Sequence, residues 1–263
     1  MQSRFTQFVC IAALVTPALT IPAAAQAQMT QTANGYLFRL QSTAGKKLDF
    51  LMQTSHHMAM PNMPGMPANM RNMSNMSLSS PIHEVITAVH GDVLTLSMTS
   101  GPAQMNGRPM GKARTIVMKM KNDGEIIGSS ASGMQNISFG DLFAHPLQIG
   151  HTYVIPFSIK GAPGSPFSMT GSDKIKFVGF KQYNGIRTAQ FDVIFSGSSS
   201  FSAGHPGSGT AHMQGTGVQL ISVADGWPER FKMTTTQTMG NMGGKARGMP
   251  SMKTTMIITM TRK

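Results

Sequence analysis

The sequence contains almost no cysteine and no long apolar run outside its N-terminus. Cys10 is the only cysteine, so the rest of the chain can form neither an internal disulfide nor a thiolate metal site. No later segment offers the roughly 18 consecutive apolar residues that a membrane-spanning helix needs. The remaining chain must therefore be stabilised by its own apolar core, and we expect it to be soluble or peripheral.

Local signatures of catalysis are also missing. The chain has no Gly-x-Ser-x-Gly elbow, no phosphate-binding Walker loop and no dinucleotide-binding glycine pattern. Its 10 acidic residues are scattered singly, and most of them stand in predicted turns. The sequence therefore predicts a protein that is not an enzyme.

Basic residues outnumber acidic ones by 22 to 10, which gives a net charge of +12. This balance favours anionic partners such as lipid headgroups, lipopolysaccharide or acidic polysaccharide in the cell envelope. Nucleic acid is not expected, because aromatic residues make up only 7% of the chain and the N-terminus predicts export. The alternative is that the charge merely keeps an exported protein soluble near an anionic envelope.

The N-terminus has the parts of a cleavable signal peptide. Arg4 supplies a positive charge, residues 8–19 form a short apolar stretch, and small residues follow it. Cleavage after Ala27 fits the A-x-A rule, and cleavage after Ala25 fits almost as well. We therefore expect a signal peptide over residues 1–27, a single domain over 28–263, and a periplasmic or extracellular location.

Apolar residues alternate with polar ones along most of the remaining chain, and turn residues separate the alternating runs. Asn184-Gly185 predicts a type I′ hairpin turn, and Gly91 lies in another predicted hairpin. Only residues 137–144 have a helical pattern. These signals predict an all-β antiparallel meander of about nine or ten strands, forming a strongly curved sheet or a partly closed barrel with at most one short helix.

This succession of hairpin-connected strands after a signal peptide resembles exported bacterial β-domains of unknown function. It is similar in architecture to the half-barrel carriers of the lipoprotein-localisation class, over most of the chain. The resemblance implies a curved sheet that holds a lipid or another anionic molecule. The helices that those carriers place inside the sheet have no counterpart in this sequence pattern.

Two segments interrupt the alternation. Residues 196–217 are rich in glycine and serine and predict a surface loop. Residues 56–76 are rich in methionine, asparagine and proline and also predict a loop. Burial explains strand methionines such as Met118 and Met256, but it is a weak explanation for methionines among polar loop residues.

Exposed thioether and imidazole groups are suitable ligands for soft metal ions such as Cu(I) and Ag(I), and protons do not compete for a thioether. The Met-x-x-Met spacing after two histidines resembles the Met-rich segments of periplasmic copper-handling proteins. By this resemblance, the predicted ligands are His56, His57, Met58, Met60, Met63, Met66, Met70, Met73 and Met76. A second predicted set is Met239, Met242, Met249 and Met252, and a third loop carries Met105 and Met110.

Geometry limits how an extended loop can bind a metal. In a polyproline II conformation Met60, Met63 and Met66 would lie about 9 Å apart along the axis. Two sulfurs bound to one ion approach within about 4 Å, because a metal–sulfur bond is ~2.3 Å long. The segment would have to fold back or form a helical turn over residues 69–76. The alternatives are that these methionines are tolerated surface residues, or that they are targets for oxidants.

The sequence thus leaves two functions open. The first is a periplasmic protein that binds or sequesters Cu(I) or Ag(I) through its methionine-rich loops. The second is an envelope structural or carrier protein that binds a lipid or another anionic molecule on a curved basic sheet.

Overall fold

The computed structural model describes residues 26–27, 29–41, 43–59, 75–123, 125–129, 140–160, 167–201, 209–239 and 252–263. Strands dominate these residues. In chain order the elements are β1 (Gln26–Ala27), β2 (Thr30–Thr32), β3 (Gly35–Leu37), β4 (Leu40–Gln41), β5 (Lys47–Ala59), β6 (Asn75–His90), β7 (Val93–Ser100), β8 (Ala103–Met105), β9 (Arg108–Met110), β10 (Arg114–Lys121), β11 (Ile126–Ser129), α1 (Gly140–Ala144), β12 (Thr152–Lys160), β13 (Phe167–Tyr183), β14 (Ile186–Phe201), β15 (Gly209–Ser222), β16 (Pro228–Met239) and β17 (Met252–Arg262).

Most strands belong to one 13-stranded antiparallel sheet. Its order is β11-β10-β7-β6-β5-β17-β16-β15-β14-β13-β12, and the β8–β9 hairpin is attached to β6. The path begins at β11 and ends at β12, so the sheet is open. The predicted all-β antiparallel class is confirmed, although more strands are present than predicted. The strands of the β8–β9 hairpin have three residues each, too few to show alternation.

One face of the large sheet, which we call the inner face, carries the apolar core. On β5, for example, Leu48 and Phe50 are buried while Asp49 between them is exposed, as two-residue alternation requires. Residues from outside the large sheet pack onto this face, and they include Phe38, Leu142, Phe143 and Leu147. Burial of each large apolar side chain contributes about 1.5–3 kcal/mol to stability.

Two of the predicted hairpin turns are confirmed. Asn184 and Gly185 connect β13 to β14 and both have positive φ angles, 49° and 77°, as a type I′ turn requires. Gly91, between β6 and β7, has a φ of 61°. The described part of the predicted helical segment is α1, which supplies two of the buried side chains on the inner face.

The predicted glycine- and serine-rich loop over residues 196–217 is wrong at both ends. Residues 196–201 belong to β14, residues 209–217 belong to β15, and the two runs pair with each other. Glycine is used here because neighbouring strands approach closely. A Cβ atom at Gly217 would lie 2.7 Å from the carbonyl oxygen of Lys232. Glycine thus marks close packing within a strand at this point, and not a loop.

The predicted methionine-rich loop over residues 56–76 is wrong at both ends, and residues 60–74 lie outside the described residues. Residues 56–59 end β5 and residues 75–76 begin β6, with His56 paired to Met76. The helical turn considered over residues 69–76 is therefore excluded at its C-terminal end. Pairing with neighbouring strands determines the conformation of these polar residues, which have weak strand preferences of their own.

Candidate metal-binding site

Two methionine-rich segments begin and end at the same end of the sheet, which we call the methionine end. Residues 60–74 connect β5 to β6, and residues 240–251 connect β16 to β17. Strands β5 and β17 are neighbours, and their pairing continues to Ala59 and Lys253. The strand register therefore brings together the ends of two segments that are far apart in the sequence.

A third methionine-bearing hairpin lies beside β6. Met105 on β8 is paired with Leu78, and Met110 ends β9. The backbone N–H of Asn106 donates a hydrogen bond to the carbonyl oxygen of Ser77 (2.9 Å), and the N–H of Ser77 donates to Asn106 Oδ1 (3.0 Å). These bonds fix the β8–β9 turn next to the first residues of β6.

The inner face carries a histidine between two methionines at the methionine end. His56 on β5 is paired directly with Met76 on β6 and with Met256 on β17. All three residues are half-buried, as is Met58 two residues further along β5. Directly paired residues of antiparallel strands have Cβ atoms about 4.5–5.5 Å apart on one face. The register thus groups one imidazole and three thioethers.

The environment of His56 favours its neutral form. Burial lowers the pKa of the His56 imidazole. Removal from water disfavours the charged form of a histidine, so the ring holds a free lone pair at neutral pH. A neutral imidazole is the form that binds metal ions.

His57 lies on the opposite face, because successive strand residues alternate. It is exposed, and its Nδ1 atom lies 2.6 Å from Asn75 Oδ1. His57 and Asn75 help to line a pocket of about 380 Å³, mostly with other residues of the outer face such as Ser55 and Thr255, although His56 and Met76 also contribute to its lining. The two neighbouring histidines of the predicted ligand set are therefore separated by the sheet.

The remaining predicted ligands fall into two groups. The first group lies outside the described residues and consists of Met60, Met63, Met66, Met70, Met73, Met242 and Met249. The second group is Met239 and Met252, which are paired with each other where β16 ends and β17 begins. Metal binding by these residues stays a prediction.

Met256 is the candidate that sequence reasoning missed. Alternation with threonines predicted a core position for it, and it does pack against the apolar core. Its position beside His56 follows from the register of β5 and β17. These strands are separated by most of the chain, and no local sequence signal gives their register.

Two further unusual groups on the inner face are the carboxyl groups of Glu84 and Asp173. Burial raises the pKa of each to about 7. Within the described part of the chain, Glu84 Oε2 and Asp173 Oδ1 have no hydrogen-bond partner. The same described residues contain no group of three His, Cys, Asp or Glu side chains that could hold a metal ion. Soft donors are therefore the ligands that the described site offers.

The opposite end of the sheet carries ion pairs around a buried tryptophan. Arg262 Nη1 lies 2.8 Å from both Asp225 Oδ2 and Glu229 Oε1. The ammonium group of Lys46 lies 3.9 Å from Asp225 Oδ2 and 4.9 Å from the centre of the Trp227 ring. This network joins the start of β16 to the end of β17 and has a structural role.

No family model and no curated protein matches this chain. Among the residues described above, no helix has both the length and the apolar character that crossing a membrane requires. Function is therefore inferred from the chemistry of the residues at the methionine end.

Proposed function

We propose that this protein is an exported, non-enzymatic protein that binds Cu(I) or Ag(I) at the methionine end. The observation that supports the proposal most directly is the strand register around β5 and β17. It brings the ends of residues 60–74 and 240–251 together, beside His56 and Met76. Thioethers and neutral imidazoles are the uncharged donors that these soft ions accept.

The exposure of the methionines supports a role other than core packing. Met120 and Met233, which lie deeper in the sheet, are 0% and 1% exposed. In contrast, Met58, Met76 and Met105 at the methionine end are only half-buried. An ion arriving from solvent can reach their thioethers.

The proposed compartment agrees with this choice of ligand. Thiols outside the cytoplasm are readily oxidised to disulfides, whereas a thioether binds a soft ion without that reaction. The only cysteine, Cys10, lies in the proposed signal peptide. Methionine is then the sulfur ligand that the exported domain has in abundance.

The alternative, a carrier for a lipid or another anionic molecule, has less support. Phe38, Phe143 and Leu147 pack onto the inner face, where such a molecule would lie in a half-barrel carrier. Mass spectrometry of the purified protein separates the two functions. A stoichiometric lipid that remains bound after removal of all metal would favour the carrier.

Titration of the purified protein with Cu(I) against a competing chelator tests the proposal. We expect saturable binding that weakens at least tenfold, about 1.4 kcal/mol, in a variant with seven Met→Leu changes. The changed residues are Met58, Met60, Met63, Met66, Met70, Met73 and Met76. The matched control carries Asn62→Ser, Asn69→Ser and Asn72→Ser in the same segment and should bind like the wild type. The proposal would be overturned if the wild type bound Cu(I) no more tightly than the variant with seven Met→Leu changes.

A further inference from the structure

The residues around His56 have the arrangement of a binding site held by three neighbouring strands. His56 lies on the middle strand and has Met76 and Met256 as its direct partners. Two residues further along β5 and on the same face, Met58 is paired with Thr254. Thr254 is buried, and among the described residues its Oγ1 atom has no hydrogen-bond partner. Three thioethers, an imidazole and an unpaired hydroxyl thus occupy one small area of the inner face.

We infer that this area is a preformed site for one soft monovalent ion, bound by the imidazole of His56 and the thioethers of Met76 and Met256. Met58 is the fourth donor within reach. The inference rests on the proposed function and makes it more specific. It locates the first bound ion on the folded sheet, and it adds Met256 as a ligand from the last strand.

The spacing of the strands suits this coordination. Neighbouring strands lie about 4.8 Å apart, so the backbones carrying Met76 and Met256 are about 10 Å apart with His56 midway. Methionine is unbranched and has three rotatable side-chain bonds, which lets both side chains lean towards the middle strand. Their sulfur atoms can then approach within the roughly 4 Å that two ~2.3 Å metal–sulfur bonds require.

The candidate ligands are held on paired strands. Side chains whose backbone is already fixed by strand pairing lose less conformational freedom on binding than side chains whose backbone is not. We therefore expect the first ion to bind at the site around His56.

The donor set indicates which ions are selected. Among the described residues of the site there is no thiolate, which Zn(II) favours, and no carboxylate, which harder ions favour. Its uncharged thioether and imidazole donors match Cu(I) and Ag(I). Met76 and Met256 are half-buried, so the proposed site lies between the enclosed core and the solvent. We therefore expect Zn(II) to be a poor competitor.

Ag(I) titration of the protein labelled with ¹³C-methyl methionine tests the inference. The first equivalent should shift the methyl signals of Met58, Met76 and Met256 and leave that of Met98 in place. Met256→Leu should lower the affinity for the first Ag(I) at least tenfold. Met98→Leu is the matched control, because Met98 is also half-buried against the core but lies on β7, and it should change the affinity less than about twofold. Methionine and leucine have similar volumes, so both variants should fold, which thermal melts without metal will verify.

A second matched pair uses the two adjacent histidines. His56→Ala should weaken the first site at least tenfold, whereas His57→Ala, on the opposite face, should leave it within about twofold of wild type. X-ray absorption of the 1:1 Cu(I) complex should show one nitrogen and at least two sulfur ligands.

The outcomes separate this inference from the proposed function. If the wild type binds Ag(I) and both Met256→Leu and His56→Ala bind it equally well, the inner-face site is wrong while metal binding by the loops stands. If the wild type binds neither Cu(I) nor Ag(I) more tightly than the variant with seven Met→Leu changes, both proposals are wrong. Displacement of the first Ag(I) by equimolar Zn(II) would overturn the soft-donor site.

Discussion

The buried carboxyl group of Glu84 makes the stability of the sheet dependent on pH. Glu84 lies on the inner face of β6, and burial raises its pKa from 4.5 to about 7. Between these values the folded state keeps a proton that the unfolded state releases. The free energy of unfolding should therefore fall as the pH rises from about 4.5 to 7, and it should level off above that range.

The size of the effect follows from the pKa difference. A change from 4.5 to about 7 corresponds to about 3 kcal/mol, at 1.36 kcal/mol for each pKa unit. Glu84→Gln keeps the shape of the side chain and removes its charge. We expect this variant to match the wild type near pH 4 and to exceed its stability by up to about 3 kcal/mol at pH 8.

Urea unfolding followed by circular dichroism at pH 4, 6 and 8 measures this difference. Asp92→Asn, an exposed carboxylate in the turn between β6 and β7, is the matched control and should leave the pH dependence unchanged. A Glu84→Gln variant that is less stable than the wild type at pH 8 would contradict this prediction. That result would mean that the ionised carboxylate has a stabilising partner in the folded protein.

Three further changes test the packing and charge of the sheet. Burial raises the pKa of Asp173 from 3.8 to about 7. Asp173→Asn should therefore also be more stable than the wild type at pH 8 but not at pH 4. A free energy of unfolding in urea with the same pH dependence as that of the wild type would contradict this. Gly171→Ala should lose about 1–3 kcal/mol, because a Cβ there would lie 2.6 Å from a phenylalanine ring. Gly128→Ala, with open space around it, should stay within about 0.5 kcal/mol of wild type in the same unfolding assay. Arg262→Ala should lose about 2 kcal/mol, because it removes the cation beside the largely buried Glu229 and leaves Asp225 with Lys46 alone, at 3.9 Å. Thermal melts will measure this loss against the exposed control Lys263→Ala, and equal melting temperatures would contradict it.

Local sequence signals predicted the hairpins whose turns have a special backbone requirement. Asn184-Gly185 is an example, because few residue pairs tolerate two successive positive φ angles. The same kind of signal failed over residues 196–217, where glycine meets a different need. A side chain at Gly217 would collide with the next strand, and composition alone does not distinguish a close approach from a flexible loop.

Register was the part of the candidate site that the sequence did not reveal. Alternation predicted which face of β17 carries Met256, but it did not indicate the neighbouring strand. Pairing of β5 with β17 joins residues near the two ends of the chain, and its register depends on packing across the whole sheet. The predicted ligands His56 and Met76 could therefore be listed from the sequence, while Met256, the partner of His56 on β17, could not.

The proposed binding site and the core use methionines on the same face of this sheet, and depth of burial distinguishes the two sets. Met120 and Met233 are almost completely enclosed, so their thioethers fill space between apolar side chains where an ion cannot enter. A soft ion needs both access from solvent and donors held close together. The proposed site around His56 meets both requirements, because paired strands fix the positions of His56, Met76 and Met256 while their side chains are half-buried. The position where the strands end is therefore a better location for the first bound ion than the enclosed core.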